Sequence, residues 1–139
     1  MINRVLDLQS QTVRQITTPL AQSVTVDAQT PVNQVLNLAR ERRLTRLPLW
    51  EEREHRRRIG GLLSLDALLY RADLDPNRPA SAYMTPAVFF DEDVRLEVAL
   101  RRMQRSGQRL AVVLSRDGRE IGIVSLEDIL KVIFGEVKL

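Results

Sequence analysis

The chain contains one phrase twice, and this repeat constrains the fold more than any other feature. Residues 61–69 read GLLSLDALL, and residues 122–130 read GIVSLEDIL. Each copy has a glycine, two apolar residues, a serine, a leucine and an acid before a further apolar run. The repeat predicts a duplicated module, because one half of about sixty residues buries too little surface to be comfortably stable alone.

The two copies differ at one carboxylate. Three residues after the serine, the second copy has Asp128 and the first copy has Ala67. The first copy keeps an acid at Asp66, but this side chain would point about 100° away around a helix. We therefore expect the copies to share a fold and to differ in chemistry, with one competent site rather than two.

The segments around each copy repeat as well. Thr-Pro steps lead into short β-type runs at residues 17–27 and 84–91, and an amphipathic helical pattern follows each run. Thr30 is the expected N-cap of the first helix, with Pro31 at its first position, and Gly107 is the expected C-cap of the second. The runs RLPLW and LAVVL predict strands that are covered on both faces. Each half is thus predicted to be β-α-β-β-α.

The connecting segments differ between the halves. Asp117-Gly118 predicts a tight hairpin turn in the second half. In the first half the segment EEREHRRR, residues 51–58, predicts a longer and highly charged turn. Residues 71–81 contain two prolines and predict a linker, while Thr12 and Gln15 predict a capping box on a short N-terminal helix.

Composition excludes several classes of protein. The chain has no Cys, which excludes a disulfide framework and a thiolate metal site. No apolar run approaches the roughly eighteen residues of a membrane span. The single histidine, His55, lies in a charged loop, and no paired-carboxylate, Ser-His or metal-ligand pattern accompanies it, so we expect no enzyme and no metal site.

The charge pattern leaves two interpretations open for the segment REHRRR, residues 53–58. It could form a patch for anionic lipid headgroups or nucleic acid, or a solvated hairpin tip whose charge is offset by nearby glutamates. The solvated tip is favoured, and without aromatic interleaving or a nucleic-acid motif we expect no nucleic-acid partner. The net charge of +3 fits an anionic ligand without requiring one.

Three motifs together resemble a pair of CBS domains, a Bateman module, over residues 13–137. They are the Thr-Pro before the first strand, the RLPLW strand, and Gly-x-x-Ser-x-x-Asp at the second strand-to-helix junction. Residues 4–19, LTRLPLW and GIVSLEDILKVIFGEV are similar to the CBS pair of the CorC / hemolysin-C / CNNM group of membrane proteins.

The resemblance implies an α/β (α+β) fold of tandem CBS domains that pack with pseudo-twofold symmetry. The expected boundaries are a lead-in at 1–16, CBS domains at 17–70 and 81–139, and a linker at 71–80. CBS pairs bind adenosine nucleotides between their halves. In this group they lie on the cytoplasmic side of a membrane domain that is associated with Mg²⁺ and Co²⁺ export.

The resemblance therefore implies a regulatory fragment at the cytoplasmic face of the cell membrane, covalently attached to a membrane domain in the full-length protein. Its expected ligand is an adenine nucleotide, ATP or AMP, with Mg²⁺ as a companion of ATP. A homodimer through the CBS pair is also expected. The alternative is a ligand-free CBS dimerisation scaffold.

The SLED turn has a physical interpretation that does not need the resemblance. Ser125 at a helix N-cap leaves backbone N–H groups pointing outward at the positive end of the helix dipole, which suits a phosphate. Asp128 can accept two hydrogen bonds from ribose hydroxyls. Ser-x-x-Asp is also a capping box that needs no ligand, and both roles remain open.

Further site residues come from the resemblance. Thr18 lies where the family contacts adenine or ribose, although it could equally be an extended residue ahead of Pro19. Leu44 and Thr45 lie where members of the family line the adenine site. The alternative is that they only begin a strand. Arg46 stands in an otherwise apolar strand and needs a partner, which could be a phosphate or an acid such as Glu127.

Arg109 leads the matching strand of the second half, where the family often has a His or Arg facing phosphates. The CorC group usually has His there, so Arg109 keeps the positive charge and loses the pH sensitivity. A nucleotide sensor predicts that Arg46, Arg109, Ser125 and Asp128 converge on one cleft. A scaffold predicts that Ser125 and Asp128 hydrogen-bond their own backbone and that Arg46 pairs with an acid.

Overall fold

Both halves of the chain fold as the predicted β-α-β-β-α series in the computed structural model, which describes residues 11–135. The strands are β1 (Thr18–Pro19), β2 (Val26–Asp27), β3 (Arg46–Arg53), β4 (Arg56–Ser64), β5 (Val88–Asp91), β6 (Leu110–Leu114) and β7 (Glu120–Ser125). The helices are α1 (Val32–Arg42), α2 (Leu65–Leu69), α3 (Leu96–Ser106) and α4 (Leu126–Gly135). Short 3-10 turns cover Val13–Ile16, Leu20–Gln22 and Ala80–Tyr83.

The strands form two sheets, one in each of two units. The central unit, Val24–Ala87, contains the sheet β2-β3-β4 with α1 and α2. The terminal unit, residues 11–23 and 88–135, contains the sheet β1-β7-β6-β5 with α3 and α4. In each unit one parallel pair joins the first strand of the series to the second, and an antiparallel hairpin joins the second to the third.

The predicted helix faces form the core of each unit. In the central unit α1 buries Val32, Val35 and Ala39, and in the terminal unit α3 buries its equivalent apolar residues. The N-terminal turn also contributes, since Val13 is fully buried among the α3 residues of the terminal core. This turn carries the predicted capping interaction, in which Thr12 N–H donates to Gln15 Oε1 at 2.9 Å.

Helix α1 begins one residue later than the sequence predicts, and its N-cap prediction is wrong. Pro31 occupies the N-cap position in place of Thr30, and the helix starts at Val32. Proline offers no side-chain acceptor, so the first-turn donors find main-chain partners. Val32 N–H donates to the carbonyl oxygen of Arg78 at 2.8 Å. Part of the predicted linker therefore caps this helix.

The prediction of a long turn at the charged residues 51–58 is wrong, because this segment forms the end of an extended hairpin. Strand β3 runs to Arg53 and β4 starts at Arg56. Only Glu54 and His55 remain in the turn, with φ angles of 51° and 67°. Two left-handed residues are the requirement of a type I′ turn, whose twist matches that of the flanking strands.

Opposite charges face each other along this hairpin. Glu51 lies opposite Arg58 and Glu52 lies opposite Arg57. Such cross-strand pairs each contribute about 0.2–1 kcal/mol to a sheet. The charges that suggested a loop therefore lie on paired strands, and residues 52–57 are exposed as expected for a solvated tip.

The Thr-Pro lead-ins are exchanged between the two copies of the repeat. Strand β1 precedes the first copy but pairs with β7 of the second, with Thr18 opposite Ile123. Thr85 precedes the second copy but bridges Leu62 of the first, through backbone hydrogen bonds of 2.8 Å in both directions. The two units therefore each contain the lead-in of the other copy, whereas the predicted domain boundaries follow the order of the chain.

The glycine that opens each copy permits this pairing. A Cβ atom on Gly122 would overlap the main chain of Thr18, and one on Gly61 would overlap the carbonyl oxygen of Thr85. Only a residue without a side chain allows the two backbones to approach this closely. The repeated glycine thus marks the place where each lead-in joins its sheet.

We expect Gly122→Ala to lower the free energy of unfolding by about 1–3 kcal/mol, the usual cost of forcing extra volume into a packed position. Urea denaturation of the two proteins measures this. Gly118→Asn is the control, because Gly118 has a φ of 80° with nothing near its Cβ position, and Asn tolerates that conformation. An equal loss in both variants would contradict the role of the close approach.

Asp27 links β2 to the hairpin that β3 and β4 form, through an ion pair with Arg57. Its Oδ1 accepts a hydrogen bond from Gln29 N–H at 2.9 Å, and its Oδ2 pairs with Arg57 Nη1 at 3.1 Å. Arg57 also lies over the ring of Trp50, 5.6 Å from the ring centroid. The Gln29 N–H, followed by the Arg57 guanidinium, lowers the pKa of Asp27 below its ordinary value of 3.8.

A lowered pKa in the folded state stabilises the protein at pH values above the unfolded pKa, and this stabilisation is lost as the pH falls through the folded pKa. The difference in unfolding free energy between the wild type and Asp27→Asn should therefore shrink from pH 6 to pH 3. In an Arg57→Gln background part of this pH dependence should remain, because the Gln29 N–H lowers the pKa of Asp27 more than Arg57 does. A pH-independent difference would contradict this assignment.

Candidate functional site

The second copy of the repeat forms a strand-to-helix turn with a complete capping box. Strand β7 ends at Ser125 and α4 begins at Leu126. Ser125 Oγ accepts a hydrogen bond from Asp128 N–H at 3.0 Å, and Asp128 Oδ2 accepts one from Ser125 N–H at 3.4 Å. The cap interpretation of Ser-x-x-Asp is therefore realised, and both side chains are fixed at the N-terminus of α4.

The first copy forms only half of this arrangement. Ser64 Oγ accepts a hydrogen bond from Ala67 N–H at 3.4 Å. Ala67 has no acceptor to return the bond to the serine N–H. Helix α2 that follows has five residues, against ten in α4. The missing carboxylate thus removes a capping contact as well as a polar group from the central unit.

Arg109 lies beside the first turn of α4. Its carbonyl oxygen accepts a hydrogen bond from Leu126 N–H at 2.9 Å. Its guanidinium donates to Glu127 Oε1 from Nη2 at 2.6 Å and from Nε at 3.0 Å. The two side chains are 50% and 55% exposed, so solvent and mobile ions reach this pair.

Thr18 is positioned by the exchanged lead-in. It lies on β1 opposite Ile123, two residues before Ser125 on β7 and so about 7 Å along the strand. The preceding residue is anchored as well, because the Thr17 hydroxyl donates to the carbonyl oxygen of Val13 at 2.7 Å. The terminal unit therefore brings Thr18 to the same strand that carries the Ser125 turn.

The other three predicted site residues lie together in the central unit. Leu44 follows α1, and its N–H donates to the carbonyl oxygen of Ala39 at 2.8 Å. Arg46 is the first residue of β3, opposite Ser64 of the first copy, and its Nη1 donates to Thr45 Oγ1 at 3.2 Å. The carboxylate suggested as a partner for Arg46, that of Glu127, is bound by Arg109.

Matching backbone hydrogen bonds show which residues of the two units are equivalent. The carbonyl oxygen of Thr45 accepts from Leu65 N–H at 2.8 Å, as that of Arg109 accepts from Leu126 N–H. Thr45 is thus the central-unit equivalent of Arg109, and the equivalent of Arg46 is the apolar Leu110, which lies opposite Ser125.

Two residues of the site were missed from the sequence. Gly122 brings β1 to the site, and Thr17 anchors the lead-in on which Thr18 lies. The repeated glycine was visible in both copies, but its function depends on a strand that pairs over a distance of about a hundred residues. No local pattern reports such a pairing.

Within residues 11–135, no three His, Asp or Glu side chains gather so that they could hold a metal ion. Among the helices of this range, none combines the length and the hydropathy needed to cross a bilayer.

The family is decided by a match that occurs twice. The model of the CBS domain matches residues 13–73 and again residues 80–135. The chain belongs to the CBS domain family. Each match contains one copy of the repeat, so the resemblance to a pair of CBS domains is confirmed.

Relatives with curated names match nearly the whole of this chain. The magnesium and cobalt efflux protein CorC of Salmonella typhimurium is 29% identical over 141 residues, which is 99% of this chain and 47% of that protein. A putative chloroplast DUF21 domain-containing protein of Arabidopsis thaliana is 30% identical over 140 residues, 99% of this chain and 21% of that protein. This CBS chain spans less than half the length of these relatives.

Solved structures agree with this grouping. The CBS domain of a bacterial CNNM/CorC family Mg²⁺ transporter in complex with ATP superposes with a TM-score of 0.83 at 28% identity, covering 98% of this chain and 96% of that one. A hemolysin-like CBS protein of Oenococcus oeni has a TM-score of 0.80 at 19% identity, covering 96% and 98%, and shows the shared fold. The predicted resemblance to the CorC / hemolysin-C / CNNM group is confirmed.

The half-formed cap of the first copy yields a stability prediction. We expect Ala67→Asp to raise the free energy of unfolding by about 0.5 kcal/mol, because an acid in the first turn favours the helix dipole and can return the bond to Ser64. Ala67 is exposed, so the larger side chain has room. The neutral control Ala67→Asn should gain less, and a loss of stability with Asp would contradict the comparison of the two caps.

Proposed function

We propose that this CBS pair is a regulatory module that binds an adenine nucleotide, with ATP as the preferred ligand. The observation that carries the proposal is the grouping of Thr18, Arg109, Ser125 and Asp128 in one unit, around the N-terminus of α4. A CBS domain that is 28% identical over nearly the whole chain was solved with ATP, which supports the choice of ligand.

Each of these residues suits one part of a nucleotide. The N-terminus of α4, with the hydroxyl of Ser125, offers donors and a positive dipole end to a phosphate. Asp128 retains acceptor capacity for ribose hydroxyls, because a carboxylate has about four lone-pair sites and its bond to Ser125 N–H is long. Arg109 supplies a positive charge for the phosphates, and Thr18 contacts the adenine or the ribose.

The central-unit residues complete the proposal. Leu44 and Thr45 would wall the adenine, and Arg46 would face the phosphates, as the family resemblance implies. We propose one competent site rather than two, because Ala67 lacks the carboxylate that Asp128 supplies. A Mg²⁺ ion that accompanies ATP would be held mainly by the phosphates, as is usual for this cation.

The consequence of binding would be regulation of an attached domain. A ligand that binds only the folded state stabilises it by RT ln(1 + [L]/Kd), about 2.7 kcal/mol at a hundredfold excess over Kd. A ligand that binds one of two arrangements of the module more tightly raises the population of that arrangement. We propose that the module acts in this way at the cytoplasmic face of a membrane, in a longer CorC-like protein that moves Mg²⁺ or Co²⁺, and that it has no catalytic activity.

A ligand-free dimerisation scaffold is the second candidate function. Three observations favour it. The capping box is formed by Ser125 and Asp128 themselves, and Arg109 has a carboxylate partner within the protein. Exposed apolar side chains are also present in the central unit, where Leu69 and Tyr70 lie at the end of α2. Either function is compatible with a homodimer, whose mass analytical ultracentrifugation would measure with and without ATP.

A thermal-shift series tests the nucleotide function. With ATP and Mg²⁺ at a hundredfold excess over Kd, we expect the melting temperature of the wild type to rise by several degrees. Asp128→Asn should abolish most of the rise, because the amide replaces one of the two acceptor oxygens with an NH2 donor and removes the negative charge that binds the ribose hydroxyls. Asp66→Asn is the matched control, since it removes an acid from the first turn of α2 and should leave the rise unchanged.

Other outcomes decide between the candidates. If AMP, ADP, ATP and S-adenosylmethionine all leave the melting temperature unchanged, the scaffold is supported. Equal shifts in the wild type and Asp128→Asn would place the site elsewhere. A reduced shift in Arg46→Gln would support the inclusion of the central-unit residues.

A further inference from the structure

The ion pair between Arg109 and Glu127 lies at the first turn of α4, and the N-terminus of a helix is the end that attracts a phosphate. Glu127 is the second residue of this helix, and its carboxylate accepts two hydrogen bonds from the guanidinium of Arg109. The carbonyl oxygen of Arg109 is itself bonded to the first N–H of the helix. The pair therefore lies within the first turn, next to the positive end of the helix dipole.

A carboxylate at this position offsets the positive charge that the helix N-terminus and Arg109 would otherwise offer to a ligand. An approaching phosphate meets a guanidinium that is already engaged and a carboxylate of the same sign as itself. Because both side chains are about half exposed, the pair can open without breaking the core. Exposed ion pairs of this kind are weak enough for a polyanion to displace.

We propose that Glu127 competes with the nucleotide phosphates for Arg109, and thereby sets how strongly the site depends on the phosphate charge of its ligand. The inference rests on the proposed nucleotide function. Adenosine needs no exchange of partners at Arg109, whereas ATP must displace the carboxylate. A divalent cation on the ATP phosphates weakens their repulsion by Glu127, so the competition is strongest when the cation is absent.

Removal of the carboxylate charge should therefore strengthen ATP binding selectively. We expect Glu127→Gln to raise the affinity for ATP about two- to fivefold, the range that corresponds to a half-exposed ion pair. The gain should be larger without Mg²⁺ than with it, and the affinity for adenosine should not change. Isothermal titration calorimetry of the purified chain with ATP and with adenosine measures each value.

The chain offers a close control for the charge change. Glu97 is the exposed second residue of α3, in the same unit and at the same helical position as Glu127. Glu97→Gln changes the net charge equally but should leave the ATP affinity within error of the wild type. Thermal unfolding without ligand establishes that both variants are folded.

A double variant shows whether Glu127 competes with the phosphates for Arg109 or only repels them. If Glu127 acts through Arg109, then Glu127→Gln should lose most of its gain in an Arg109→Gln background. An equal gain in both backgrounds would overturn the proposal, and so would wild-type ATP affinity in the single variant Glu127→Gln. If the wild type binds neither ATP nor adenosine, the proposed function itself fails, which is distinct from ATP binding that ignores Glu127.

Discussion

The close approach of the Thr18 backbone to Gly122 is the contact on which the candidate site depends. Strand β1 has only two residues and pairs with β7 at the position where a side chain would block it. This contact carries Thr18 to the strand that ends at Ser125, and the same contact at Gly61 joins Thr85 to the central unit. Because the lead-ins are exchanged, β1 forms the edge of the sheet that contains the second copy, and Thr85 bridges the strand that contains the first.

The single carboxylate that distinguishes the two copies has a structural and a chemical effect at once. In the terminal unit Asp128 returns a hydrogen bond to Ser125 and holds the turn at the start of a ten-residue helix. In the central unit Ala67 cannot do so, and the helix is half as long. A ligand at Asp128 would therefore act on a group that already stabilises the helix, so binding and local stability are coupled.

Features set by local periodicity could be predicted from the sequence, and features set by distant partners could not. The helices α1 and α3 and the turn at Gly118 follow from apolar spacing and from glycine at a positive φ. The extended hairpin was missed because Glu54 and His55 carry no turn signature, and because the opposite charges of the two strands come to face each other only after pairing. The partner of Arg109 was missed for the same reason, since Glu127 lies eighteen residues away.

The alignment of the two units shows that their difference in charge extends beyond one carboxylate. The central unit has an acid at the second position of its helix, Asp66, as the terminal unit has Glu127. At the position of Arg109, however, it has Thr45, so no equivalent ion pair can form at that position. An exposed ion pair between an arginine and a carboxylate, beside a helix N-terminus, is a combination in which a polyanion can replace the carboxylate. If the proposed function holds, the same fold would offer an anion-responsive turn in the terminal unit and only a cap in the central unit.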